Sequence, residues 1–180
     1  VLKTKFHADG SFDKHKARLV VRGFMQKAGR AFHETFTPTT DLGTFRVLMS
    51  LASRYGWRVM HADIKNAFCN AMIDVQDMFV TMPDNINITD PNPTPNRERA
   101  LRLNRALYGL RQSPRLWFNT VRKLLEGQGF TRGKRDQTMY YRKNPDGNGW
   151  TYALVYVDDI VISGPDNRQQ DEVTKIFQNN

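Results

Sequence analysis

The chain has 180 residues, with 27 Lys+Arg against 18 Asp+Glu and a formal net charge of +9. That is long enough for one domain with a real core, and the charge balance favours a polyanion partner, most simply nucleic acid, although a basic protein without such a partner has the same composition. The single cysteine, Cys69, excludes an internal disulfide and a cysteine-based zinc site and fits a reducing, intracellular setting; no apolar run reaches membrane-spanning length, and the N-terminus has no signal-peptide pattern.

In chain order, residues 2–6 and 17–24 read as two strands around a turn at Asp9-Gly10. Alternation along the second strand sets Arg18 and Arg22 on one face. Residues 26–43 are polar and Thr-rich and read as a loop. Thr44 is placed to cap a helix over Phe45–Tyr55, which Gly56 ends. Residues 58–62 read as a short strand delivering Asp63, and 66–72 as a second helix. The chain is extended around 78–82, and the Pro-, Asn- and Asp-rich stretch 83–97 marks an irregular loop. Ser113-Pro114 starts a helix with Pro at its first position, Trp117, Val121, Leu124 and Leu125 forming the apolar face and Gly127 or Gly129 the end. Strands over 138–143 and 150–157 flank a turn at 144–149, and a final helix carries Val173, Ile176 and Phe177. There is no repeat and no second core, and the order of strands and helices is mixed, so α+β fits better than a strictly alternating α/β fold. The four histidines, His7, His15, His33 and His61, lack metal-ligand spacing and read as ordinary surface or core residues.

The chemistry concentrates in Ala153-Leu154-Val155-Tyr156-Val157-Asp158-Asp159-Ile160-Val161-Ile162, where two adjacent carboxylates interrupt an apolar, β-branched run. Like charges there repel and lose hydration, and a hard divalent cation is the simplest remedy. This points to metal-assisted chemistry on a phosphate-bearing substrate. A hairpin with a solvent-exposed Asp-Asp turn explains the same residues. Two-metal phosphoryl transfer needs a further carboxylate from another strand end, and Asp63 is the best candidate. Asp13, Asp41, Asp74 and Asp136 stand in polar or loop contexts and are weaker ones.

Taken together, the blocks Lys16–Phe24, Glu34-Thr35-Phe36-Thr37-Pro38, Asp63-Ile64-Lys65-Asn66-Ala67-Phe68, Leu103–Arg115 and Tyr156-Val157-Asp158-Asp159 resemble, in order and over nearly the whole chain, the reverse transcriptase domain of copia-type LTR retrotransposons. The resemblance implies an RNA-directed DNA polymerase. Residues 1–180 would be its fingers and palm, with a ferredoxin-like palm sheet and an Asp-Asp catalytic hairpin, cut before the primer grip, thumb and ribonuclease H. It implies Asp63, Asp158 and Asp159 as catalytic carboxylates and, with the Ile64 carbonyl, as holders of two Mg²⁺ ions, Mn²⁺ being a substitute. Lys16, Arg18, Arg22, Phe68, Tyr108 and Gly109 would meet the deoxynucleoside triphosphate, Phe68 as the ring that clashes with a ribose 2′-hydroxyl. Tyr156, Val157, Arg111 and Arg115 would meet template and primer, the last two within an arginine cluster at 97, 99, 102, 105, 111 and 115. Implied partners are an RNA or DNA template with primer, deoxynucleoside triphosphates and the remaining Pol domains (thumb, ribonuclease H, integrase), in cytoplasmic particles and without a membrane. Cys69, Ala71, the broken acidic pair Asp74-Val75-Gln76-Asp77 and Asn85 depart from the family pattern, and none removes a metal ligand. Rival readings are a catalytically dead remnant that only binds nucleic acid, an RNA-dependent RNA polymerase, against which Tyr156 and Phe68 speak, and a basic structural module that binds no metal.

Overall fold

A computed structural model describes residues 1–82 and 100–178. Its elements are β1 (Leu2–Phe6), β2 (Phe12–Ala17), α1 (Leu42–Tyr55), β3 (Val59–Asp63), β4 (Phe79–Thr81), β5 (Ala100–Arg102), α2 (Ser113–Gly127), β6 (Thr131–Arg132), β7 (Met139–Lys143), β8 (Trp150–Tyr156), β9 (Asp159–Ser163) and α3 (Asn167–Gln178). The strands form a β1-β2 ribbon, a β4-β5 ribbon and a five-stranded sheet in the order β3-β9-β8-β7-β6. Every strand pair is antiparallel. The mixed α and β content agrees with the α+β expectation.

The large sheet is two-faced because its central strands alternate. Ala153 and Val155 on β8, Ile160 and Ile162 on β9, and Tyr140 on β7 point to one side and are buried there. Trp117, Val121 and Leu125 of α2 and Val173 and Phe177 of α3 complete that core. Spacings of four residues put each set on one helical face, and each such side chain contributes about 1.5–3 kcal/mol on burial. Asp63, His61, Asp159 and Tyr156 belong to the opposite side of the same strands. Helix α2 is stopped by a Schellman arrangement. The Phe130 amide bonds to the Leu125 carbonyl at 3.0 Å, the Gly129 amide to Glu126 at 3.0 Å, and Gly129 takes the left-handed conformation at φ 80°. Sequence patterning anticipates this helix and the strands around 139–143 and 150–156.

Several boundaries differ from the sequence reading. The strand expected over 17–24 is instead Phe12–Ala17. Past Arg18, whose amide reaches the Val1 carbonyl, the backbone leaves the ribbon and bonds from Val21 N–H to the Tyr108 carbonyl at 2.8 Å, then makes a 3₁₀ turn at Gly23–Met25. Arg18 and Arg22 therefore do not share a strand face. Thr44 does not cap α1. Asp41 does, accepting the Gly43 amide at 3.0 Å, because it is the last extended residue before the helix. The helix expected over 66–72 is a single 3₁₀ turn, Ala67–Asn70, entered through Asn66 at φ 53°. It stops there because Ala106 N–H bonds to the Ala71 carbonyl and Ile73 N–H to the Asn104 carbonyl, drawing the chain alongside residues 104–106. Ser113 lies inside α2 and donates its hydroxyl to Leu107 instead, so Pro114 sits one residue deeper than first position but still in the first turn. The loop expected over 83–97 lies outside the described residues.

The weaker acidic candidates have structural partners. Asp41 caps α1, Asp74 pairs with Arg115, Asp13 lies 3.6 Å from Lys14, and Asp136 ties α1 to the sheet. Burial works against the charge on Asp136, but hydrogen bonds from the Thr138 hydroxyl and amide, then from Thr44 and the Asp41 amide, outweigh it and hold the carboxyl below its ordinary 3.8. A carboxyl with a lowered folded pKa adds stability above the ordinary value and loses it as the pH falls through the folded one. Asp136→Asn is therefore expected to cost about 1 kcal/mol at neutral pH. Thermal melts of the two proteins should converge as the pH drops below 3.8.

Candidate active site

Antiparallel register brings the three sequence-predicted carboxylates to one end of the sheet. Asp63, the last residue of β3, lies directly opposite Asp159, the first residue of β9. Residues paired in this way point to the same face. Strands β8 and β9 are joined by Val157 and Asp158 alone, since Tyr156 pairs with Asp159. Ile64 N–H donates to the Asp158 carbonyl at 2.8 Å, stitching the exit of β3 to this connection. Asp63 is exposed, whereas Asp158 and Asp159 are half-buried. Val157 has φ 55°, a conformation a β-branched residue adopts only under constraint.

The two adjacent carboxylates differ in surroundings. Asp159 Oδ1 lies 2.6 Å from His61 Nε2, two residues before Asp63 on the same side of β3. Sequence reading passed over His61. Its signal was the alternation that sets residues 61 and 63 on one face, legible only once β3 is known to pair with β9. Asp158 has its backbone carbonyl bonded by Ile64, and its charge acts on Tyr108. Burial first, and then the charges of Asp158 and more weakly of Asp63, raise the Tyr108 pKa, with Arg18 opposing, so its hydroxyl stays protonated at neutral pH.

Tyr108 is the hub of a second group. Its ring packs on Phe68 with centroids 4.9 Å apart, and the Arg18 guanidinium lies 5.4 Å from its centroid. Two glycines permit this approach. A Cβ on Gly23 would lie 1.9 Å from the Gly109 carbonyl oxygen, and one on Gly109, which has φ 92°, would lie 2.0 Å from the Val21 carbonyl oxygen. Gly109 thus has a clear backbone role in seating residues 18–25. Lys16 is half-buried on the β1-β2 ribbon, and Arg22 is exposed at the start of the 3₁₀ turn.

The arginines named for template contact have internal partners. Arg111 Nε donates to the Gly23 carbonyl at 3.0 Å and its guanidinium lies over Phe32. Arg115 donates to the Glu34 carbonyl and pairs with Asp74. Arg102 pairs with Asp77 and Arg105 reaches the Asn70 carbonyl, while Arg97 and Arg99 lie outside the described residues. Tyr156 and Val157 are exposed at the hairpin end.

Among the described residues, no three His, Cys, Asp or Glu side chains converge as a ready metal cage. The donors here are carboxylate and carbonyl oxygens. They suit Mg²⁺, which is ordinarily held by one or two carboxylates with substrate phosphates completing its shell. Among the described residues no helix is long and apolar enough to cross a membrane.

All residues, 1–180, match the family model described as reverse transcriptase (RNA-dependent DNA polymerase), and the chain belongs to that family. It is 33% identical over 166 residues to the retrovirus-related Pol polyprotein from transposon RE1 of Arabidopsis thaliana and 32% over 169 residues to that from transposon RE2, covering 92% of this chain and 11% of each relative. The counterpart from transposon TNT 1-94 of Nicotiana tabacum is 31% identical over 166 residues, covering 92% of this chain and 12% of the relative. The copia-type resemblance is thereby borne out, and the chain spans about a tenth of the length of these relatives. No solved structure matches the chain.

Gly109→Ala combines left-handed strain with a backbone clash and is expected to cost about 2–4 kcal/mol. Denaturant melts should register that loss.

Proposed function

We propose that the chain carries the fingers and palm of an RNA-directed DNA polymerase that adds deoxynucleotides to a primer 3′-hydroxyl by two-metal phosphoryl transfer. The observation carrying this reading is that strand register puts Asp63, Asp158 and Asp159 at the same end of the sheet, in a chain of the reverse transcriptase family. The large sheet is the palm and the β8-β9 connection its catalytic hairpin.

Asp63, Asp158 and the Ile64 carbonyl would hold two Mg²⁺, or Mn²⁺ in their place, with Asp159 beside them. When bound, the ions acidify the primer 3′-hydroxyl and neutralise the triphosphate and the leaving pyrophosphate. The protein contributes position and fixed charge, the main levers in phosphoryl transfer. Phe68, packed against Tyr108, would be the ring that excludes a ribose 2′-hydroxyl, and the Tyr108 hydroxyl, kept protonated by burial and by the charge of Asp158, would serve as a donor. Gly109 lets Arg18 approach, and Arg18 with Lys16 and Arg22 would take the triphosphate. Tyr156 and Val157 at the hairpin end would meet the primer terminus. Arg111 and Arg115 would face the template side with donors left over from their internal bonds. The thumb, ribonuclease H and integrase portions of a Pol polyprotein would be the partners.

Register on the ribbon supports a polyanion substrate. Lys3 pairs directly with Lys16 and Lys5 with Lys14, so four ammonium groups share one face. Like charges placed opposite one another destabilise a ribbon, and phosphates laid along that face remove the conflict. Lys3→Ser with Lys5→Ser should therefore raise the melting temperature while weakening binding to a primer-template. The slope of log affinity against log salt should become shallower by about 1–2.

The direct test is primer extension on a poly-ribonucleotide template with Mg²⁺ or Mn²⁺. Wild-type extension is expected, with a drop of about 10³-fold or more in Asp158→Asn at unchanged primer-template affinity. Extension that survives the substitution, or its absence from a folded wild-type chain, would sink the reading.

A further inference from the structure

The hairpin end is held by bonds to its backbone from outside the hairpin. The Thr40 hydroxyl donates to the Val155 carbonyl at 2.7 Å, the Trp117 indole Nε1–H to the Val157 carbonyl at 2.5 Å and the Ile64 amide to the Asp158 carbonyl at 2.8 Å. The donors come from three places in the chain: the extended segment before α1, helix α2 and the exit of β3. Two-residue hairpin connections favour Gly, Asn or Asp where φ is positive, yet this one has Val157 at φ 55°. Nothing in the valine side chain favours that backbone, so the surroundings must impose it. Packing does only part of this. Beside the connection is an apolar cavity of about 50 Å³, lined among others by Pro38, Phe68, Pro114, Trp117, Tyr156 and Val157. On that side the connection has free space, and the hydrogen bonds decide where it sits.

We propose that Trp117 is a positioning residue for catalysis, its indole N–H holding the strained Val157 backbone so that Asp158 stays at the sheet end beside the exit of β3. Trp117 suits the task because its ring belongs to the core while its N–H reaches the hairpin connection. The residue is 3% exposed and shares the core with Val121 and Val155, while its N–H bonds to the carbonyl of a residue that is 43% exposed. A buried ring that presents one donor at the sheet end transmits the rigidity of α2 to the catalytic hairpin. The consequence for catalysis rests on the polymerase reading; the contact itself does not.

The test substitutes Trp117→Phe, which keeps an aromatic ring and removes the donor. In ¹⁵N-labelled wild-type chain, the Trp117 indole N–H should exchange with solvent about 100-fold more slowly than that of Trp150, which is exposed at the start of β8. In Trp117→Phe the Ile64 amide, whose acceptor is the Asp158 carbonyl, should exchange about 10-fold faster, while amides in the middle of α2 keep their protection. Mn²⁺ affinity should fall about 10-fold, and the extension assay should lose kcat by about 10- to 100-fold with KM for the deoxynucleotide unchanged. Trp57→Phe, which alters a ring stacked on Tyr55 and Tyr152 away from the hairpin, is the control and should leave Mn²⁺ affinity intact. Indole exchange as fast as that of Trp150, or an Ile64 amide unchanged in Trp117→Phe, would overturn the proposal. A wild-type chain that neither extends a primer nor binds Mn²⁺ would defeat the polymerase reading instead, and the exchange measurements would still decide the contact.

Discussion

The site depends on the register between β3 and β9. Pairing Val59 with Ser163 through Asp63 with Asp159 places two carboxylates across from each other at one end of the sheet and leaves Asp158 on the connection just beyond. Like charges in that relation repel, so the register has to be secured elsewhere. Along the same two strands, Ala62 pairs with Ile160 and Met60 with Ile162, and the isoleucines are fully buried against α2 and α3. A slip by one residue would send those apolar chains to the carboxylate face and the aspartates into the core. The hydrophobic alternation thus enforces an electrostatic arrangement that the strands would not choose for their polar residues alone.

A second constraint acts on the other wall of the site. Residues 18–25 leave the ribbon and dock their backbone on Tyr108-Gly109, with glycine on both sides of the contact and the Val21–Tyr108 hydrogen bond across it. The Gln26 side chain extends the seam, accepting the Arg111 amide at 2.8 Å and donating to Gln112 at 3.1 Å. A largely apolar segment with two arginines is thereby brought against Tyr108-Gly109, and Arg18 ends over the Tyr108 ring. The site draws on distant parts of the chain, each seated by its own local device: alternation for β3 and β9, glycine approach for residues 18–25, and a left-handed Asn66 for the turn bearing Phe68.

Those devices explain what could be read in advance. Helix α2 and strands β7 and β8 are legible because period and punctuation agree: Pro114 near the start, Gly129 after the end, and alternation along β8. The carboxylate run stood out for a physical reason as well, since charge interrupting an apolar, β-branched run needs a partner, and the structure puts that interruption at a hairpin connection rather than within a strand. The end of β2 was not legible, because Leu19-Val20-Val21 is as strand-like as any run in the chain and only its docking on Tyr108 draws it away. The turn at Ala67–Asn70 looked helical for the same reason, its continuation being taken over by bonds to residues 104–106. Local propensity reports what a segment prefers alone, and backbone docking over long sequence separation leaves no local signature.

His61 shows how much the distinction between the adjacent aspartates depends on tertiary structure. In sequence, Asp158 and Asp159 are equivalent members of a pair. In the fold, strand alternation and the turn send them to different neighbours. Asp159 begins a strand and shares its face with His61, 2.6 Å away, whereas Asp158 stands on the connection, with its carbonyl bonded to Ile64 and its charge felt by Tyr108. A carboxylate with a hydrogen-bonded imidazole has one oxygen fewer to offer a cation, and the freer oxygens are those of Asp158 and Asp63. The adjacency that makes the pair conspicuous in sequence is therefore also what separates the two in surroundings: one residue along a strand end is enough to give Asp159 a histidine partner that Asp158 lacks.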